Sequence, residues 1–231
     1  MGRVHLVGGE KGGVGKSVLA RLLAQFWIDQ DASWTGFDTD RTHGALLRHY
    51  GDFTRRIDVH RSDQLDRIVD ALDDGTDEIV VDLAAQTMTE VRRWLESGDV
   101  QGLLAELGHS LWWWNVLDDG KDSVMLLADL LDVLDPGAIV VGVLNRGRGR
   151  DFSLFEESKL RERILERGGH VMKLPKLSRD TMRKIDIHDK SFWAAIHNED
   201  AAAGPCLARM ERQRAKVFVR MSHARISAAL I

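Results

Sequence analysis

Apolar residues follow two rhythms that alternate along the chain. Short apolar runs at 4–7, 34–37, 78–83, 110–117, 138–144 and 170–174 read as buried strands, with a weaker one at 57–60. Between them, segments 18–29, 63–73, 87–96, 122–134, 153–167 and 205–228 repeat apolar positions every three or four residues, the spacing of a helix with one buried face. Strand and helix in strict alternation favour a parallel sheet with crossover helices, because parallel neighbours cannot be joined by a tight turn. The predicted architecture is α/β: three layers, a mostly parallel twisted sheet with helices on both faces, in a single domain over 1–231. The run Trp112-Trp113-Trp114 lies within a strand and is expected to form buried wall, alternate residues facing opposite helix layers.

Composition agrees with this picture. The 231 residues are 44% hydrophobic and 29% charged, enough apolar material for one sizeable core. The apolar runs are far too short to span a bilayer, and the chain enters its first strand without a signal-like segment, so a soluble cytoplasmic protein is expected. The single cysteine, Cys206, excludes a disulfide framework and a cysteine-ligated iron–sulfur cluster. Net charge is −4, but residues 146–231 hold 19 Lys/Arg against 11 Asp/Glu, leaving 13 against 25 in residues 1–145. Such a split points to anionic partners for the C-terminal part.

The strongest chemical signal is Gly9-Glu10-Lys11-Gly12-Gly13-Val14-Gly15-Lys16-Ser17-Val18, set between the first strand and the first helix. Glycines at 12, 13 and 15 permit conformations closed to residues with a Cβ, so successive N–H groups turn toward one point at a helix N-terminus, where anions are favoured. Lys16 is expected to neutralise the β- and γ-phosphates of a nucleotide, and the Ser17 hydroxyl to ligate a bridging Mg²⁺. The general pattern G-x-x-x-x-G-K-[ST] fails by one residue, Glu10. What fits is K-G-G-x-G-K-[ST], which resembles the deviant Walker A loop of the ParA/MinD family of ATPases. The resemblance implies a P-loop fold, ATP and Mg²⁺ as cofactors, and a nucleotide-sandwiched homodimer in which Lys11 reaches the partner's phosphates. Residues 12–18 then form the phosphate cradle, with Val14 and Val18 supplying backbone.

Ligands of open α/β sheets bind beyond the carboxyl ends of the strands. The second strand ends in Asp38-Thr39-Asp40, similar to the family's D-x-D switch I. On that resemblance Asp40 orients the attacking water and Asp38 supports the metal shell, although Arg41-Thr42-His43-Gly44 replaces the Pro-Gln-Gly that relatives often carry next. The strand over 78–83 carries Asp82, expected to hold Mg²⁺ through water as a Walker B carboxylate. Relatives follow it with a small residue, Pro and Gly, whereas this chain has Leu83-Ala84-Ala85-Gln86-Thr87, so nucleotide-driven switching is expected to be slow or altered. Gln86 either contacts phosphate or water or caps the next helix. In Asp118-Asp119-Gly120-Lys121-Asp122-Ser123, either Asp118 or Lys121 meets a partner subunit, or the segment is a solvated turn with Asp122 or Ser123 capping a helix. Asn145 resembles the family's adenine reader, its amide offering both donor and acceptor, and the segment Leu174-Pro175-Lys176 completes the base pocket, with Pro175 a contact. No guanine-type N/T-K-x-D motif is present, which favours adenine.

Basic residues gather at Arg146, Arg148 and Arg150, at Lys173, Lys176, Arg179, Arg183 and Lys184, and along the last helix, whose Leu207, Met210, Val217, Phe218 and Met221 are expected to pack inward. Cations pointing outward suit nonspecific binding to DNA phosphates, or are an ordinary solvated face. The resemblance adds a hydrolysis-stimulating partner protein and a role in plasmid or chromosome partition or mobilisation. Two rivals remain: a MinD-like membrane-associated positioning ATPase, and a ligase similar to dethiobiotin synthetase.

Overall fold

The computed structural model describes residues 1–197 and 205–231. Seven strands form one sheet in which every pairing is parallel: β1 (Arg3–Gly8), β2 (Trp34–Asp38), β3 (Thr54–Arg56), β4 (Glu78–Asp82), β5 (Ser110–Leu117), β6 (Ile139–Asn145) and β7 (His170–Leu174). Their order is β3-β2-β4-β1-β5-β6-β7. The chain fills one side of β1 with β2, β3 and β4 and then the other with β5, β6 and β7. A crevice therefore opens beyond the carboxyl end of β1, where the direction of winding reverses.

Helices cover both faces. One layer contains α1 (Lys16–Asp29), α2 (Ala45–His49), α10 (Arg179–Ile187), α11 (Phe192–His197) and α12 (Arg209–Ala229). The other contains α3 (Ser62–Leu65), α4 (Arg67–Asp73), α5 (Met88–Ser97), α6 (Val100–Glu106), α7 (Lys121–Val133), α8 (Ser153–Glu156) and α9 (Leu160–Glu166). Each sheet face has its own core because strand side chains alternate: Leu111, Trp113 and Leu117 of β5 face one layer, Trp112, Trp114 and Val116 the other. All three tryptophans are buried, as the apolar run predicts.

The differences from the sequence reading are local. The weak strand expected at 57–60 lies earlier, at Thr54–Arg56, because it pairs Gly36, Phe37 and Asp38 of β2 and must end where β2 ends. Ile57 and Val59 do alternate inward, but into the core beneath a turn. The helix expected over 153–167 is broken by Lys159, whose φ of 59° is incompatible with a continuing right-handed helix. In α12 the buried stripe is Ala215, Phe218, Val219, Ser222, Ile226 and Ala229, while Met210 and Met221 are exposed. The stripe repeats every three or four residues, and Met210 and Met221 fall outside it.

Candidate nucleotide site

β1 delivers the loop 9–15 to the N-terminus of α1. Gly15 adopts φ 105°, and a Cβ there would collide with the Asn145 amide, so glycine is required on both counts. Asn145, at the end of β6, donates Nδ2–H to the Val14 carbonyl at 2.7 Å and accepts the Gly147 N–H on Oδ1 at 2.9 Å. It thus ties the loop to the edge of the pocket where the sequence put the base.

A cavity of about 360 Å³ lies over the loop, lined by Gly12, Gly13, Gly15, Lys16, Ser17, Val18, Asp40, Asp82 and the turn 83–85, with Arg148 at its border. Lys16 is buried and its ammonium donates to the Lys11 carbonyl at 3.0 Å. Burial lowers its pKa, opposed by the Asp82 and Glu10 charges. Across the cavity Asp82 is 3% exposed. Burial pushes its carboxyl up to about 7, helped by the Asp38 charge and resisted by a hydrogen bond from Ser17 and by Lys16. Its Oδ1 is buried without a hydrogen-bond partner. A buried carboxylate oxygen without a protein partner, next to a serine hydroxyl, is costly unless something else satisfies it, and suits a hydrated cation. The described residues contain no cluster of three or more His, Cys, Asp or Glu able to hold a metal unaided. The residues present therefore fit Mg²⁺ in its usual manner, one or two protein oxygens with water and substrate phosphates filling the shell. Ser17 and Asp82 would hold it, and the ion would supply charge neutralisation between the phosphates.

The two carboxylates of switch I part company. Asp40 lines the cavity, its Oδ1 accepting from Thr42 N, Thr42 Oγ1 and His43 N at 2.9–3.0 Å. Burial raises its carboxyl, but these hydrogen bonds outweigh it and the net shift is downward. Asp38 is fully buried and is not among the residues lining the cavity. Its oxygens accept Asp40 N–H at 3.0 Å and Leu47 N–H at 3.1 Å, so it shapes the turn and caps α2. Its nearness to a metal is electrostatic, through the push it gives Asp82.

Lys11 turns away from the phosphate cavity. Its ammonium lies 3.0 and 3.2 Å from the two oxygens of Asp118 in the same chain. Asp118 also accepts Ser123 Oγ at 2.6 Å and Gly120 N–H at 3.0 Å. Asp118 thus organises the loop 118–123, and the N-cap of α7 is Gly120, not Asp122 or Ser123.

The contacts of Glu10 and Thr39 escaped the sequence reading, and Gln86 follows neither of the roles it was given. Glu10, the residue that breaks the general motif, accepts the Met88 N–H at 2.8 Å and anchors the start of α5. Thr39 Oγ1 donates to the Asp82 carbonyl at 3.1 Å and accepts Ala84 N–H at 2.8 Å, locking the turn after β4 to the turn after β2. Gln86 adopts φ 62°, in the left-handed region that favours glycine, and is exposed. It neither caps α5, whose N-cap is Thr87, nor lines the cavity. The signal for Glu10 was its departure from the motif; that for Thr39 was a hydroxyl between two carboxylates.

A second cavity, of about 200 Å³, adjoins the first beyond β6 and β7, with Asn145, Leu174, Pro175, Leu177, Met182 and Phe218 in its wall. Its apolar wall with a few polar groups suits a base. Asn145 and Pro175 both line it, but the Asn145 amide that the sequence reading assigned to the base already donates to Val14 and accepts from Gly147.

No family model matches the chain. The chain is 27% identical to the protein TraL of Escherichia coli over the full length of both, and 29% identical to the protein MobD of Acidithiobacillus ferrooxidans over 87% of this chain and 88% of that one. Among solved structures it is similar to the MinD cell division protein of Aquifex aeolicus, with TM-score 0.51, 10% identity, and 95% of this chain and 97% of that one covered. It is likewise similar to a ParA family ATPase from Chlorobium tepidum, with TM-score 0.56, 16% identity, and 93% and 98% covered. Over nearly its whole length the chain shares the fold of these ParA/MinD P-loop ATPases.

Proposed function

We propose that this protein is an ATP-dependent dimerising switch of the ParA/MinD kind, which binds ATP and Mg²⁺, associates through Lys11 across a nucleotide sandwich, and resets by slow hydrolysis that a partner protein stimulates. The observation that carries this reading is the pairing of the Lys16/Ser17 loop with a buried Asp82 whose Oδ1 lacks a partner. In the reaction Lys16 screens the β- and γ-phosphates and Asp40 aligns water with the γ-phosphate, while Asp82 and Ser17 would hold the cation, which would supply further charge neutralisation. Phosphoryl transfer draws chiefly on such alignment and charge stabilisation. Lys11 leaves Asp118 for the second nucleotide when the dimer forms. Switching follows because the γ-phosphate binds the two states unequally.

The dimer would act in the cytoplasm on nonspecific DNA, in mobilisation or partition of a plasmid or chromosome region. Likeness to TraL and MobD supports that setting. Exposed cations on α12 support DNA over a membrane, since the apolar stripe that a membrane would need is spent on the core. No helix of the described residues is long and apolar enough to cross a membrane. The decisive experiment is light scattering on a sizing column in ADP, ATP and a slowly hydrolysed ATP analogue, with wild type and Lys11→Ala. Analogue-dependent dimers in wild type only are expected. Equal masses in every nucleotide, or dimers undiminished in Lys11→Ala, would overturn the role given to Lys11. DNA retardation and liposome flotation of the analogue-bound form distinguish the two surfaces.

A further inference from the structure

Arg148 belongs, by sequence, to a basic loop that reads as a surface for DNA. Its position in the fold is different. Val18 and Arg148 are the two residues common to the phosphate cavity and the base cavity, so Arg148 stands where the two meet. The backbone that carries it is held firmly. Arg148 N–H and Gly149 N–H both donate to the Asn145 carbonyl at 2.9 Å, Gly147 N–H donates to Asn145 Oδ1, and Asn145 in turn grips the Val14 carbonyl of the phosphate loop. Arg150 N–H is fixed by Asp119 at 2.8 Å. The loop is therefore stapled to the very segment that would hold the nucleotide. Among the described residues the Arg148 guanidinium has no hydrogen bond or ion pair, unlike Arg3, Arg21 and Arg163, each of which has a carboxylate.

A nucleotide laid through these cavities has a fixed order of parts. Its base lies by Asn145 and Pro175, its β- and γ-phosphates by Lys16 and Ser17, and the ribose and α-phosphate must bridge the border between them. A cation at that border, on a rigid backbone and without a carboxylate of its own, is matched to the charge of the α-phosphate, and a guanidinium is well shaped for two phosphate oxygens. We infer that Arg148 is a nucleotide-binding residue that pairs with the α-phosphate from within the same subunit, and so strengthens ADP and ATP alike. This rests on the proposed nucleotide site and gives Arg148 a duty distinct from DNA binding.

Calorimetric titration of ADP and of the slowly hydrolysed ATP analogue into wild type, Arg148→Ala and Arg148→Lys tests it. The expected result is a loss of affinity in Arg148→Ala of about ten- to a hundredfold, as for a charge-assisted hydrogen bond, equal for the two nucleotides, with partial recovery in Arg148→Lys. Arg148 is exposed, so an unchanged thermal melt is expected and separates lost contact from lost folding. ADP affinity within about twofold of wild type in Arg148→Ala would overturn the inference, and so would a loss confined to the analogue, which would place the guanidinium at the γ end. Failure of wild type to bind either nucleotide would instead remove the nucleotide site itself.

Discussion

The two ends of the parallel sheet hold polar clusters of similar size and opposite character. At the amino end Glu78 is shared between Arg3, at 2.6 Å, and His5 Nε2, at 2.8 Å, while Trp114 Nε1–H donates to His5 Nδ1 at 3.0 Å. Because Nδ1 accepts, Nε2 carries the proton and donates to Glu78. The ring is neutral, in line with burial lowering its pKa against the pull of Glu78. The indole N–H, both imidazole nitrogens and both Glu78 oxygens are matched, and nothing invites a ligand. At the carboxyl end Asp82 keeps an oxygen without a partner, its carboxyl is pushed up to about 7, and Lys16 has only a backbone carbonyl to hold. Here the matched cluster stabilises the fold, while the groups around Asp82, converging on a cavity beside the glycine-rich loop, suit a ligand.

Three substitutions probe that contrast. The largest effect is expected at the open end, where Lys16→Ala should reduce ATP turnover by about a hundred- to a thousandfold, the usual loss on deleting one preorganised charge-stabilising group, while the thermal melt without nucleotide stays close to wild type. A phosphate-release assay beside calorimetry checks both halves. At the closed end the pattern should invert. Glu78→Ala strands His5 and Arg3 and is expected to cost about 3 kcal/mol of stability, read by urea denaturation, with nucleotide affinity preserved at temperatures where the variant is folded. If Glu78→Ala weakened nucleotide binding as strongly as Lys16→Ala, the two ends would be one functional unit.

The smallest effect concerns pH. An aspartate whose pKa rises from 3.8 in the unfolded chain to about 7 when folded binds more protons in the native state between those values. Nucleotide-free stability should therefore fall as pH rises from about 4 to about 7. Asp82→Asn should flatten that slope and, near pH 8, raise the melting temperature by a few degrees, about 2–4 °C per kcal/mol for a chain of this size. Hydrolysis should be lost in the same variant. A melt of Asp82→Asn that tracks wild type across the whole pH range would mean that the carboxylate is not desolvated in solution.

Much of the fold was readable because strand and helix patterns differ in period, and each of the six strong apolar runs became a strand. The weak seventh was displaced because pairing with β2, and not local propensity, decides where an edge strand sits. Short helices such as α2, α10 and α11 were missed, since helices of 5, 9 and 6 residues offer too few repeats of the pattern. At the site, residue types were legible and their hydrogen bonds were not. The D-x-D motif does not say that Asp38 is consumed by two backbone N–H groups while Asp40 keeps to the cavity. Nor does a basic loop reveal that one arginine of three borders both cavities, because that depends on Asn145 tying the loop to Val14 from 131 residues away.

The bond from Glu10 to Met88 has a mechanical consequence. It fastens the ten residues of α5, a rod about 15 Å long at the helical rise, to the loop that grips phosphate. A rod clamped at one end transmits small rotations of the clamp as larger displacements of its tip. The position of the phosphate loop is thereby tied to that of α5, whose far end at Ser97 lies remote from the cavity.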